Sequence, residues 1–166
     1  NWNRSPEEVA YLMKLFNYAF DSHFKKFIQG GGRVRFIGDR ARMPEQIQTR
    51  MWESEEESKE NTEGTLVVAL SYGGRAEILA GVNALLQSGV ERVDESDFGA
   101  SLWSAGLIDP DLIIRTGGDM RLSNFLTWQS VYSELFFTAT KWPDFSEGEF
   151  DSILAEYASR ERRLGA

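Results

Sequence analysis

Three short apolar runs set most of what this chain can fold into. Residues 65–70 (TLVVAL), 112–114 (LII) and 135–138 (LFFT) are continuous rather than alternating, and each is far shorter than a buried helix. Between them lie stretches with apolar residues at helical spacing, such as Ile78, Leu79, Val82, Leu85 and Leu86 on a helix expected over 76–87. A strand that is apolar on both faces needs a covering layer on each side. Strands alternating with helices therefore predict an α/β fold, a mostly parallel central sheet with helices on both faces.

The rest of the chain fits that scheme. Ser5-Pro6-Glu7-Glu8 reads as a helix start, with a serine cap, proline at the first position and Glu8 closing a capping box. Val9, Leu12, Met13, Phe16, Phe20, Phe24 and Phe27 recur at helical spacing until Gly30-Gly31-Gly32 ends the run. A strand and turn over 33–39 precede a helix from about 44 to 59, which fades into the acidic stretch ESEEESKENTEG, read as a solvated helix end. A short acidic helix over 96–103, a helix over 123–132 and a last helix over 146–163 complete the pattern. No repeat or low-complexity linker interrupts it, so one domain over residues 1–166 is expected.

In parallel sheets, ligands sit beyond the carboxyl ends of the strands. Gly38-Asp39, Gly73-Gly74-Arg75 and Arg115-Thr116-Gly117-Gly118 all fall at such ends and are expected on one rim. The third is the richest. Leu112-Ile113-Ile114 runs into Arg115, a glycine pair, and then Arg121-Leu122-Ser123-Asn124. Two guanidinium forks, a hydroxyl and backbone N–H groups at a strand-to-helix junction are the means by which an α/β protein holds a diphosphate. The glycines alone could be turns, and either arginine alone a surface charge. Their combination favours phosphate.

Composition removes other classes. The net charge of −8 opposes nucleic acid binding, because no basic face can be assembled against that field. The absence of cysteine removes disulfides, thiolate zinc sites and cysteine nucleophiles, and fits a cytoplasmic protein. The single histidine, His23, lies between charged neighbours in mid-helix, which leaves no basis for a nucleophilic triad. There is no apolar run long enough for an integral membrane segment. Two questions stay open on the residues alone. Glu134, just before the last strand, either pairs locally or reaches the rim to support a divalent cation. The phenylalanine-rich first helix is either core or the wall of an apolar tunnel.

These residues resemble a known family, the cis-prenyltransferases of the undecaprenyl diphosphate synthase type. Asn1-Trp2-Asn3-Arg4 is similar to the end of its S-x-E-N-W-x-R motif, Ile37-Gly38-Asp39 to its I-G-D element, and Tyr72-Gly73-Gly74-Arg75 to its Y-G-G-R element. Ile114 to Asp119 with Arg121 to Leu126, Trp128-Gln129, Tyr132, Glu134-Leu135 and Trp142-Pro143 matches its most distinctive block, and Arg163-Leu164-Gly165 its R-x-G carboxyl end. The resemblance covers the whole chain and implies a homodimeric, Mg2+-dependent enzyme. Such an enzyme condenses isopentenyl diphosphate onto an allylic diphosphate such as farnesyl diphosphate, with each new double bond cis. It implies that Asn1 helps accept the proton, that Trp2 and Arg4 contact substrate, and that Arg115, Arg121 and Ser123 hold isopentenyl diphosphate with backbone help from Leu122. It further implies Glu134 as the Mg2+-associated carboxylate, and Arg163 and Gly165 reaching across the dimer. Membrane contact would come only through the lipid product.

The family's D-G-N-x-R-W segment, which carries a metal-binding aspartate, has no counterpart ahead of Asn1. On that ground the N-terminal strands are expected to be missing, and this chain alone is expected to turn over negligibly. A non-catalytic partner subunit of a prenyltransferase complex is the alternative reading, and a generic phosphate-binding α/β module a third.

Overall fold

The computed structural model describes Trp2 and residues 4–160, and the chain divides into two units, Asn1–Tyr72 and Gly73–Ala166. Each unit contains one pair of parallel strands.

In the first unit, α1 (Pro6–Ala19) begins as expected: the Ser5 hydroxyl accepts from the Glu8 amide at 3.3 Å, and the Glu8 carboxylate accepts from the Ser5 amide at 3.2 Å. The helix then widens into a π-turn over Phe20–Phe24 before α2 (Lys25–Gln29). At the wide turn the Ser22 hydroxyl donates to the Tyr18 carbonyl at 2.7 Å, the acceptor its own amide would use in an α-helix. Strand β1 (Arg33–Ile37), a 3-10 turn (Arg40–Arg42), α3 (Glu45–Ser58) and β2 (Thr65–Ala69) follow. The strands pair in parallel from Arg33 opposite Thr65 to Ile37 opposite Ala69.

The core of this unit is aromatic. Phe20, Phe24 and Phe36 meet with ring centroids 5.2–5.6 Å apart, surrounded by Ile28, Val34, Met43, Ile47, Met51 and Leu70. Burying each such side chain stabilises by about 1.5–3 kcal/mol. Phe20 and Phe24 are thus core residues, whereas Phe27 stays 36% exposed.

The outer edge of β1 is closed by side chains. The Val34 amide donates to Ser58 Oγ at 3.0 Å and the Phe36 amide to Glu55 Oε1 at 2.8 Å, while Arg40 Nη2 donates to the Phe36 carbonyl at 2.7 Å. Arg40 and Glu55 also pair with each other through two bonds of 2.6 and 2.7 Å. An edge strand with its polar groups answered this way no longer invites another strand. Two expectations are corrected. The acidic stretch is not wholly solvated, because Ser58 is fully buried and Glu55 is bound to β1. Strand β2 is not buried on both faces, since Leu66 remains 37% exposed.

The second unit contains α4 (Gly74–Ser88), α5 (Glu95–Ser101), β3 (Leu112–Arg115), β4 (Glu134–Phe137), a 3-10 turn (Trp142–Asp144) and α6 (Glu147–Ser159). Strands β3 and β4 pair in parallel, Leu112 opposite Glu134 and Arg115 opposite Phe137. The apolar face read from the sequence of α4 is not its buried face. Gly74, Glu77 and Gly81 point inward, and Leu79 and Leu86 are 62% and 72% exposed. The reason is steric: α5 and Leu102 pack closely on this face, where a Cβ at Gly81 would come within 2.7 Å of Ser101 Oγ and 3.0 Å of Leu102 Cδ2.

The helix expected over 123–132 does not form. Ser123, Asn124 and Leu126 take left-handed conformations, and consecutive turns follow. The Asn124 carbonyl, which would serve the helix's own ladder, instead accepts from the Gly74 amide at 2.8 Å. The last helix ends at Ser159 with Arg160 as its cap, and the expected continuation to 163 lies outside the described residues.

Candidate functional site

The second unit brings the expected phosphate-binding side chains together at the carboxyl end of β3. Gly117 and Gly118, at φ 92° and 83°, turn the chain back so that their amides donate to the Thr140 and Thr138 carbonyls at 2.8 and 2.9 Å. Arg115 is thereby left at the mouth of the loop that follows. Its Nη1 donates to the Arg121 carbonyl at 2.5 Å and to Ser123 Oγ at 2.8 Å. Its Nη2 donates to Asp119 Oδ2 at 3.0 Å, and Arg121 Nη2 donates to the same oxygen at 2.7 Å.

One carboxylate oxygen therefore bridges both guanidinium groups. The two arginines can converge on a single anionic oxygen, here that of Asp119. Arg115 is the more enclosed, with 24% of its side chain exposed, and Arg121 at 64% reaches toward solvent. The local sum of Arg115, Arg121 and Asp119 is positive in a chain whose net charge is −8. The expected helix N-terminus at Ser123 is absent, so the groups gathered here are the guanidinium forks and the hydroxyl, without a helix end behind them. Leu122 is half-buried, and its carbonyl accepts from the Phe125 amide at 3.0 Å.

Glu134 lies elsewhere on the strand pair. It opens β4 opposite Leu112, three positions along the register from the Arg115–Phe137 pair, about 10 Å at strand rise. Its Oε2 accepts from Arg160 Nη1 at 2.6 Å, and Arg160 also bonds Glu156 at 2.7 Å and stacks over the Phe136 ring at 3.9 Å. The hydrogen bonds it donates to Glu156 and then to Glu134 push the Arg160 guanidinium above its ordinary value. Among the described residues no group of three histidine, cysteine, aspartate or glutamate side chains is placed to hold a metal ion.

In the first unit, Gly38 and Ser71 bring the carboxyl ends of β1 and β2 together. Gly38 sits at φ 122°, where a Cβ would lie 2.0 Å from the Leu70 carbonyl oxygen, and the Asp39 amide donates to the Ser71 carbonyl at 3.2 Å. Trp2 docks here: its Nε1 donates to Ser71 Oγ at 2.9 Å, and the Arg42 guanidinium stands 5.3 Å from its ring centroid. Arg4 is exposed and reaches Glu8 at 3.4 Å. Asn1, Arg163 and Gly165 lie outside the described residues.

Sequence reasoning missed three contributors. Asp119 joins the arginines, Asn124 fastens their loop, and Glu77 forms a buried knot with Ser104 and Gln129. Asn124 carries the one local signal, since asparagine is the non-glycine residue best suited to a left-handed turn. Glu77 has none, because a glutamate in a first helical turn ordinarily faces solvent.

The comparisons with known proteins cover the same ground. A family model described as "Putative undecaprenyl diphosphate synthase" matches residues 1–165. The isoprenyl transferase of Fusobacterium nucleatum is 44% identical over 165 residues, 99% of this chain and 71% of that protein. The farnesyl-diphosphate-specific ditrans,polycis-undecaprenyl-diphosphate synthase of Escherichia coli is 43% identical over 171 residues, covering 99% of this chain and 68% of that protein. Among solved structures, lavandulyl diphosphate synthase from Lavandula x intermedia, in complex with dimethylallyl diphosphate, matches with TM-score 0.93 and 34% identity, over 100% of this chain and 75% of that one. A probable undecaprenyl diphosphate synthase from Campylobacter jejuni matches with TM-score 0.90 and 32% identity, over 100% and 78%.

Proposed function

This chain belongs to the undecaprenyl diphosphate synthase family of prenyltransferases, and from that premise we propose that it carries out cis-prenyl chain elongation. Isopentenyl diphosphate is condensed onto an allylic diphosphate such as farnesyl diphosphate, and the product is a polyprenyl diphosphate used as a lipid-carrier precursor. The observation that carries this reading is the shared oxygen: Arg115 and Arg121 both reach Asp119 Oδ2, at 3.0 and 2.7 Å. An isopentenyl diphosphate oxygen would take that place, with Ser123 Oγ and the Leu122 backbone beside it.

In the reaction, the π electrons of the isopentenyl double bond form a carbon–carbon bond to the allylic C1. The bond from that carbon to its diphosphate breaks, and the electron pair leaves with the diphosphate. A proton is then lost next to the new cationic carbon, which restores a double bond. The work of Arg115, Arg121 and Ser123 is to fix the nucleophile's diphosphate so that its alkene is held in one place. Trp2 and Arg4 are proposed to contact substrate, Asn1 to help accept the proton, and Arg163 and Gly165 to complete a partner's site in a homodimer. Residues 1–166 are proposed to belong to a single cis-prenyltransferase domain.

Mg2+ is proposed as the cofactor, with Glu134 as its protein carboxylate. The described residues do not by themselves build a site for it: Glu134 is committed to Arg160 at 2.6 Å, and no three candidate ligands cluster. No step above is routed through the ion. The protein is proposed to work in the cytoplasm, touching the membrane through its product. Among the described residues no helix is long and apolar enough to cross a membrane.

The test is incorporation of radiolabelled isopentenyl diphosphate into farnesyl diphosphate by the protein expressed from its native gene. Labelled polyprenyl products with cis double bonds support the reading. A folded protein that makes none overturns it.

A further inference from the structure

Helix α4 starts on Gly73, which has no side chain to cap the free amides of the first turn. A residue some fifty positions away supplies the cap. The Asn124 carbonyl accepts from the Gly74 amide at 2.8 Å, and Asn124 Oδ1 accepts from the Arg75 amide at 2.9 Å. The approach is so close that side chains are excluded from the helix start. A Cβ at Gly73 would lie 2.7 Å from Asn124 Nδ2, and one at Gly74 would lie 2.2 Å from Thr127 Oγ1 and 2.9 Å from the Thr127 amide. The paired glycines before Arg75 are therefore the seat on which the segment around Asn124 and Thr127 rests.

The seated segment is the one that serves Arg115. Ser123 Oγ and the Arg121 carbonyl both accept from Arg115 Nη1, and Arg121 lends the second guanidinium. The loop is also strained: Ser123, Asn124 and Leu126 sit at φ 48°, 66° and 44°. Non-glycine residues hold such angles only where surrounding contacts impose them. The two bonds from α4 to Asn124 fasten the middle of this loop.

Resting on the diphosphate reading of the arginine pair, we propose that Asn124 is a positioning residue for that site. By docking its loop on the start of α4, it holds Arg121 and Ser123 in register with Arg115. It does not touch the substrate's reacting atoms. Its effect falls on capture of isopentenyl diphosphate rather than on bond making.

A plain helix cap would look similar in a stability assay, so the test separates the two. Asn124→Gly removes the side-chain cap while keeping a residue at ease at φ 66°. Adding Gly73→Ser restores a cap from the helix's own N-cap position: Gly73 has the extended conformation that such a serine needs (φ −163°, ψ 130°), and the amide that barred a side chain is gone. The measurements are Tm, kcat and KM for isopentenyl diphosphate on the full protein, with Arg121→Ala alongside.

Asn124→Gly is expected to raise that KM by about tenfold with kcat and the allylic KM little changed, as follows from a displaced binding group. The double variant is expected to regain Tm and keep the raised KM. If KM recovers together with Tm, or never rises in folded Asn124→Gly, the positioning role is overturned. If Arg121→Ala also leaves KM unchanged, the diphosphate site itself is wrong; if only Arg121→Ala raises it, the site stands and the role of Asn124 falls. Should the double variant fail to fold, Asn124→Gly against Arg121→Ala decides by the same criteria.

Discussion

Replacing Glu77 by alanine should remove much of the stability of the second unit, and replacing it by glutamine should not. Glu77 is fully buried on the inner face of α4. Its Oε1 accepts from the Ser104 amide at 2.9 Å and its Oε2 from Gln129 Nε2 at 3.0 Å, while Gln129 Nε2 also reaches Ser104 Oγ at 2.5 Å. Alanine would strand two buried donors at about 1–3 kcal/mol each, giving a loss of about 2–6 kcal/mol before the void is counted. Against a whole-domain stability of about 5–15 kcal/mol, that is a large share.

Glutamine keeps a carbonyl for Ser104 and presents an NH2 to Gln129. Gln129 can answer it by rotating its amide, because its Oε1 has no partner among the described residues. The exchange should then cost about 0.5–1.5 kcal/mol, one net hydrogen bond. Urea denaturation reads the difference directly. With a slope of about 2 kcal/mol per molar, Glu77→Ala should move the midpoint by about 1–3 M and Glu77→Gln by less than about 0.8 M, with the slope unchanged. Equal shifts for the two variants, or none for alanine, would refute the buried-network argument.

Three further outcomes are expected. Phe24→Ala opens the Phe20–Phe24–Phe36 cluster and should lower stability by about 3–5 kcal/mol in equilibrium unfolding. Gly38→Ala places a Cβ 2.0 Å from the Leu70 carbonyl at φ 122°, so expression should yield insoluble or unfolded protein, checked by circular dichroism on whatever remains soluble. The Asp21 carboxyl is held below its ordinary value, chiefly by its hydrogen bond from Arg50 and then by the charges of Arg50 and Lys25. The unfolded chain binds that proton more readily, so the pair adds stability above the usual carboxylate range and loses it as pH falls through the lowered folded value. Asp21→Asn should accordingly lower Tm slightly at neutral pH and match wild type in acid; an unchanged gap across a pH series would contradict this.

What could be read from residues in order was largely what neighbours in sequence decide. Ser5 and Glu8 close their capping box three residues apart, and Arg115 and Ser123 meet because a glycine turn returns the chain over that short span. The misreadings have one cause, contact between distant segments. The helix expected over 123–132 loses to the bond between Asn124 and Gly74, which no local propensity contains. The leucines of α4 gave the better amphipathic pattern, yet the buried face is set by how closely α5 and Thr127 approach Gly81 and Gly74. In the acidic run, Glu55 and Ser58 are claimed by the edge of β1, and their solvated neighbours in sequence disguise them. The residues alone leave Glu134 between local pairing and a cation, and in the fold it stands at the amino end of β4, bonded by Arg160.

The central claim is that Arg115 and Arg121 converge on the diphosphate of isopentenyl diphosphate. Calorimetric titration of isopentenyl diphosphate into the full protein and its Arg121→Ala variant tests it most directly. Loss of one charged hydrogen-bonding partner is worth about 1.5–3 kcal/mol, so Kd should rise by about 10- to 150-fold while the Tm of the unliganded protein stays close to wild type. Equal affinity in the two proteins would place the ligand elsewhere and contradict the account.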